Sequence, residues 1–209
     1  MTSPSRAAPS AVVFDVGGVL IDWNPRHLFR TLFEGDDEAM ERFLDEVCSP
    51  EWNAAQDAGR SWSDAVRTLT ATFPDQSHLI EAYDLRWMET VGGAIEGTVA
   101  VLGELHDAGV PLYALSNWSA EKFALVRQRY PFLDWFDGLV VSGDVGLVKP
   151  DPRIYRFLFE RFAIEPGRSV FVDDNAANLA AGEALGLPGL LFSNPTTLRA
   201  DLATLGLLT

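Results

Sequence analysis

The chain has 209 residues, a formal net charge of −14 and 47% hydrophobic residues. Such acidity disfavours nonspecific nucleic-acid binding, which needs a basic footprint, and no apolar stretch is long enough to span a membrane. Length and apolar content suit one large domain, or one domain carrying a small insert.

Met1 to Ser10 carries one arginine among small and polar residues and reads as a disordered leader. The apolar run after it is short and broken by Asp15, Gly17 and Gly18, so it does not read as a signal segment. Ala11, Val12, Val13 and Phe14 show no polar alternation, the pattern of a strand buried on both faces. The run stops at Asp15. Gly17 and Gly18 follow, and glycines there permit a tight turn and close approach of a ligand.

From Trp23 to about Val91 the spacing becomes helical, with no continuous apolar strand. Four short helices are expected. One carries Leu28, Phe29, Leu32 and Phe33, and the next Met40, Phe43, Leu44 and Val47. A third is capped by Ser61 or Ser63, carries Ala65, Val66, Leu69 and Phe73, and stops at Pro74. A fourth carries Leu79, Ile80, Tyr83, Trp87 and Met88. Trp23, Trp52, Trp62 and Trp87 are four of the six tryptophans. Most should be core, with one or two lining a pocket. The single cysteine, Cys48, excludes an internal disulfide, reads as a packed residue and fits a reducing cytoplasm.

Regular βα alternation follows. Apolar strands are expected over 110–115, 138–142 and 169–172, with 190–192 closing the sheet. Between them, Val99, Leu102 and Leu105 mark a helix ended by Gly109, and Ser119 can cap one through Phe123 and Val126. Asp151 as N-cap and Pro152 at N1 open another with Ile154, Phe157, Leu158 and Phe162. The last carries Asn178, Leu179 and Leu185 before Gly186. Such alternation implies right-handed crossovers and an α/β fold with a doubly wound, Rossmann-like parallel sheet. The domain reading is a core of residues 1–22 and 91–209, with a helical cap of 23–90 inserted after the first strand.

In a parallel sheet the carboxyl ends of all strands share one edge, where ligands bind. Asp15, Ser116, Asn117, Lys149, Asp173 and Asp174 should therefore converge on one crevice. Three carboxylates, a hydroxyl, an amide and an ammonium suit a divalent cation plus a phosphate. Adjacent carboxylates such as Asp173 and Asp174 repel unless a cation or proton is near, and magnesium favours such oxygen ligands. Ser116 and Asn117 precede a helix, whose N-terminus favours phosphate.

These four segments, in order over Ala11 to about Phe192, resemble the motifs of the haloacid dehalogenase-like hydrolases. The similarity is greatest to the capped phosphatase branch, with small sugar-phosphate phosphatases and the N-terminal phosphatase domain of soluble epoxide hydrolase. The resemblance implies that Asp15 is the nucleophile and that Lys149 neutralises it and the phosphoryl group. It further implies that Ser116 joins them in catalysis, with Gly17, Gly18, Ser116, Asn117 and Lys149 holding phosphate. Asp15, the Gly17 carbonyl and Asp174 would hold Mg2+, with Asp173 directly behind them. Asn178 would brace the loop. Most family phosphatases carry a second aspartate two residues after the nucleophile, as general acid and base. Here that position is Gly17. Asp22 and His27 lie just beyond the turn and are the candidate substitutes.

The expected function is thus magnesium-dependent hydrolysis of a small phosphate monoester, such as a sugar phosphate, without nucleic-acid or membrane partners. Two alternatives stand beside it: a metal-independent 2-haloacid dehalogenase, for which Gly17 is unremarkable, and a noncatalytic binding protein of the same fold. The acidic pair argues against the dehalogenase. Oligomeric state and physiological substrate are left open.

Overall fold

The computed structural model describes residues 9–209. Most of the expected leader, up to Ala8, lies outside the described residues. Ser10 is anchored, its N–H donating to the Arg168 carbonyl at 2.7 Å.

Five strands form a parallel sheet: β1 (Ala11–Phe14), β4 (Leu112–Ser116), β5 (Gly138–Val141), β6 (Ser169–Asp173) and β7 (Gly189–Leu191). Their order is β5-β4-β1-β6-β7. Every neighbouring pair is parallel, with Val12 opposite both Leu112 and Val170. The expected strand over 110–115 starts two residues later, at Leu112, and runs to Ser116. β1 lies at the centre, and its buried residues divide between two faces. Val12 and Phe14 join the core on one side, and Val13 joins Leu115, Tyr155 and Phe171 on the other.

The connections are helical. They are α6 (Glu96–Asp107), α7 (Ala120–Arg129), the short α8 (Ser142–Val145), α9 (Pro152–Phe162) and α10 (Ala176–Glu183), with α11 (Pro195–Thr204) at the end. Asp151 caps α9 as expected, accepting from the Arg153 N–H at 2.9 Å. Phe157 departs from its expected core position: it is 36% exposed, while Ile154, Tyr155 and Leu158 take the buried face. Ser119 occupies the N-cap position of α7 but makes no side-chain cap bond. Its hydroxyl instead accepts from Trp62 Nε1 at 3.0 Å.

Between β1 and α6 the chain forms β2 (Ile21–Trp23), five helices and β3 (Val91–Ala94). The helices are α1 (Arg26–Leu32), α2 (Asp37–Glu46), α3 (Pro50–Asp57), α4 (Trp62–Thr72) and α5 (Ser77–Leu85). The expectation of four missed α3. It opens on a Ser49 cap, bonded to the Trp52 N–H at 3.2 Å, with Pro50 next. Only Gln56 is fully buried on this helix, so it shows no apolar periodicity. Of the two serines offered as caps for α4, Ser61 serves. β2 and β3 pair antiparallel, so the chain enters and leaves the helices through one two-stranded ribbon.

The helical segment shares one apolar core with the sheet face carrying Val12 and Phe14. Its centre is aromatic: Phe29 to Tyr83 at 5.1 Å and Tyr83 to Trp62 at 5.3 Å between ring centroids, both edge-on. Edge-to-face pairs of this kind add about 0.5–1.5 kcal/mol each beyond area burial. Cys48 is buried here, and burial pushes its thiol up to about 12. That keeps it protonated and unreactive.

Candidate active site

Asp15, Ser116 and Asp173 stand at the carboxyl ends of β1, β4 and β6, the three central strands. Asp15 and Asp173 are buried, at 7% and 0% exposure. Strand order reverses at β1, the point where open parallel sheets form a crevice.

Lys149 links the carboxylates. Its Nζ lies 2.9 Å from Asp15 Oδ1 and 2.7 Å from Asp173 Oδ2. Asp173 also accepts from the Asn175 N–H at 2.8 Å and from Asn178 Nδ2 at 3.0 and 3.1 Å. Asn178 therefore braces the Asp173 carboxylate itself. Asn117 serves the lysine in turn: its side-chain amide bonds both the N–H and the C=O of Lys149. The Val16 N–H donates to Asp15 Oδ1 at 2.7 Å.

Asp174 is solvent-exposed, beside Asp173. Asp15, Asp173 and Asp174 each offer one carboxylate oxygen, and these three atoms lie within 4.8 Å of one another. Three negative groups thus face one lysine. Burial is the main cause that pushes the Asp15 carboxyl up to about 7; Lys149 opposes this and Asp173 reinforces it. Asp174 is raised as well, by burial first and then by Asp173. Carboxylates crowded in this way are relieved by a cation. An all-oxygen set of this size fits a hard divalent ion such as magnesium.

Gly18 sets the geometry of that cluster. Its φ is +75°, and a Cβ there would lie 2.3 Å from Asp174 Oδ2. The first turn and the acidic turn approach closely because this residue has no side chain. Gly17 is different. A Cβ on it would rest at 3.4 Å from the Trp118 ring, an ordinary contact. The Ser116 hydroxyl is buried and has no hydrogen-bond partner. An unpaired buried hydroxyl is costly, and a ligand phosphate oxygen would satisfy it.

Next to this edge is a small cavity of about 50 Å³, lined by Gly17 and Asn117 on the sheet side and by Asn53, Asp57 and tryptophans on the other. Trp23, Trp62 and Trp87 line it, and so does Trp118, from the β4–α7 loop. Trp52 packs against Trp62 and Tyr83 instead. A second cavity, about 260 Å³, shares Trp23, Asn53 and Asp57 and continues past Leu44, Ala54 and Tyr83.

Asp22 and His27 line neither cavity. They bond one another at 2.9 Å, with side chains 52% and 35% exposed. Asn53, Asp57 and Trp118 were missed by sequence reading. Asn53 and Asp57 lie on the helix that the periodicity did not reveal. Trp118 follows the Ser116–Asn117 motif directly, and that adjacency was the available signal.

A family model for haloacid dehalogenase-like hydrolases matches residues 9–186. The chain belongs to the haloacid dehalogenase-like hydrolases. It is similar to the sesquiterpene phosphatase astK of Aspergillus oryzae, 27% identical over 185 residues, covering 86% of this chain and 88% of that protein. It is 36% identical over 90 residues to bifunctional epoxide hydrolase 2 of Mus musculus, a match spanning 42% of this chain and 16% of that protein. Among solved structures it resembles a hydrolase of this family from Deinococcus radiodurans R1 with bound phosphate and sodium. That match has TM-score 0.68 and 24% identity, covering 97% of this chain and 99% of the other. A family enzyme from Bacteroides thetaiotaomicron in complex with magnesium and inorganic phosphate gives TM-score 0.67 at 20% identity, covering 89% and 95%. These structural likenesses carry the fold.

Proposed function

We propose that this hydrolase is a magnesium-dependent phosphatase that cleaves a small phosphate monoester through an aspartyl-phosphate on Asp15. The observation that carries the reading is the convergence of Asp15, Asp173 and Asp174 within 4.8 Å, beside the unpartnered Ser116 hydroxyl. Asp15, Asp174 and the Gly17 carbonyl would hold the ion. Asp173 would hold Lys149, the ammonium that neutralises the nucleophile and the incoming phosphoryl group. When bound, the ion supplies positive charge against the carboxylates and the phosphate oxygens.

An Asp15 oxygen attacks phosphorus, and the alcohol leaves on the opposite side. The Ser116 hydroxyl and the backbone N–H groups of Asn117 and Gly17 hold the phosphoryl oxygens; the Gly18 N–H is taken by the Ile21 carbonyl at 2.9 Å and does not join them. Water then hydrolyses the aspartyl-phosphate and frees Asp15. Residues 23–90 act as a cap over the core of 1–22 and 91–209, and the alcohol occupies the cavity between them. Its tryptophan lining favours an apolar alcohol over a sugar. The similarity to a sesquiterpene phosphatase supports both the reaction and that preference. The single cysteine, which leaves no internal disulfide, fits a reducing cytoplasm. Among the described residues no helix is long and apolar enough to cross a membrane.

The test is a panel of phosphate monoesters and 2-haloacids, each with magnesium and with chelator. Hydrolysis of phosphate esters that stops in chelator and returns with magnesium is expected. Dehalogenation in chelator, without phosphatase activity, overturns the reading.

A further inference from the structure

We propose that Asp57 is the proton donor to the leaving oxygen and fills the role that Gly17 leaves vacant; this rests on the phosphatase reading above. In-line displacement puts the leaving oxygen on the far side of phosphorus from Asp15. That side is the cavity lined by Gly17 and Asn117, and Asp57 is the one acidic side chain among its lining residues. An acid reaching the leaving oxygen from across the cavity needs no side chain at position 17.

The Asp57 carboxyl is held for this task. It is the last residue of α3, and its own carbonyl accepts from Ser142 Oγ at 2.6 Å. The same Ser142 hydroxyl accepts from the Trp118 N–H at 2.9 Å. The Gly143 N–H donates to the Trp118 carbonyl at 3.0 Å. The end of α3 is therefore tied to the loop that carries Ser116 and Asn117. The carboxyl itself accepts from Asn53 Nδ2 at 3.3 Å. Among the described residues no lysine, arginine or histidine forms an ion pair with it. Lys122 lines the same cavity but is bound to the Asp84 carboxylate and carbonyl.

Burial pushes the Asp57 carboxyl up to about 7, against a smaller lowering by the Ser119 N–H. A group in that range can hold a proton at neutral pH and still release it. The other charged or titratable groups around the two cavities are Lys122 on α7, Tyr83 on α5, Cys48 after α2, Arg26 on α1 and Asp45 on α2. In the step, the Asp15–phosphorus bond forms as the bond to the alcohol oxygen breaks. The Asp57 proton passes to that oxygen. The carboxylate left behind takes a proton from the water that cleaves the aspartyl-phosphate, which restores the acid.

The experiment compares an alkyl phosphate with p-nitrophenyl phosphate in magnesium, following the phosphorylation step in single turnover. The nitrophenolate leaves unaided; the alkoxide does not. Asp57→Asn should slow the alkyl ester at least 100-fold more than the aryl ester, with a melting temperature at or above that of the wild type. In the wild type, the alkyl rate should fall above pH about 7 relative to the aryl rate; this comparison needs no variant. Equal slowing of both esters, or an alkyl-to-aryl ratio independent of pH, overturns the assignment. A selective alkyl defect in Asp22→Asn or His27→Gln, absent from Asp57→Asn, gives the role to the ribbon pair and overturns it too. A wild type inert toward both esters overturns the phosphatase reading and this assignment with it.

Discussion

Asn117 grips the backbone of Lys149 from both sides: its Oδ1 accepts from the Lys149 N–H at 2.8 Å, and its Nδ2 donates to the Lys149 C=O at 2.9 Å. The residue after β4 thereby fixes where the ammonium emerges before α9, 32 positions later. Through Lys149 it fixes the spacing of Asp15 and Asp173. Asn117→Asp keeps one of these bonds and loses the donor. Turnover should fall about 10–100-fold, and stability by about 1–3 kcal/mol, the cost of an unpaired buried carbonyl. Steady-state rates and urea unfolding of the variant check both numbers.

Asp173 and Asp174 are neighbours in sequence with opposite physical roles. Asp173 is fully buried under Lys149, Asn178 and the Asn175 N–H. Asp173→Asn breaks a buried ion pair and should cost about 3–5 kcal/mol of stability. Asp174→Asn removes a charge that repels Asp173, so stability should hold or rise while magnesium affinity drops at least tenfold. Thermal melts and magnesium titrations of the two variants separate these outcomes. Equal melting temperatures would contradict the division.

The two glycines of the first turn should respond differently to one methyl group. At Gly18 a Cβ meets Asp174 Oδ2 at 2.3 Å on a backbone with φ +75°. Gly18→Ala should lose about 1–3 kcal/mol and most magnesium binding. At Gly17 the nearest atom is the Trp118 ring at 3.4 Å, so Gly17→Ala should fold within about 0.5 kcal/mol of wild type. Calorimetry on both variants tests the contrast.

Asp57 predicts a pH dependence of stability with a definite sign. Its folded carboxyl is raised from 3.8 to about 7. The folded state therefore holds the proton more tightly than the unfolded state. The associated stability is present in full below pH about 4 and is lost as pH rises through about 7. Allowing for partial exposure, the loss should be about 1–2 kcal/mol. Urea unfolding at pH 5 and pH 8 should show this fall in wild type, and a correspondingly smaller fall in Asp57→Asn.

Asp15, Ser116, Asp173 and Asp174 were legible from the chain alone because each ends or follows an unbroken apolar run, and Lys149 because it stands between Val148 and Pro150 at the entry to a capped helix. A strand buried on both faces has a one-dimensional signature. Parallel pairing then brings such strand ends to one edge, whatever the loops do. The helices with a broad apolar face, α1, α2, α4 and α5, were legible for the same reason. Helix α3 was not, because it buries almost nothing along a regular stripe. With it went Asn53 and Asp57, whose relation to Gly17 depends on contacts across tens of residues. The β2–β3 ribbon was hidden because its two strands are short and 68 positions apart, and Gly92 and Gly93 weaken the strand signal. Asp22 and His27 stood near the nucleophile in sequence, but folding turned them toward solvent and toward each other. Sequence thus determined the sheet and the groups at its edge, through local apolar patterning. Only tertiary packing decided which side chains face the cavity above that edge.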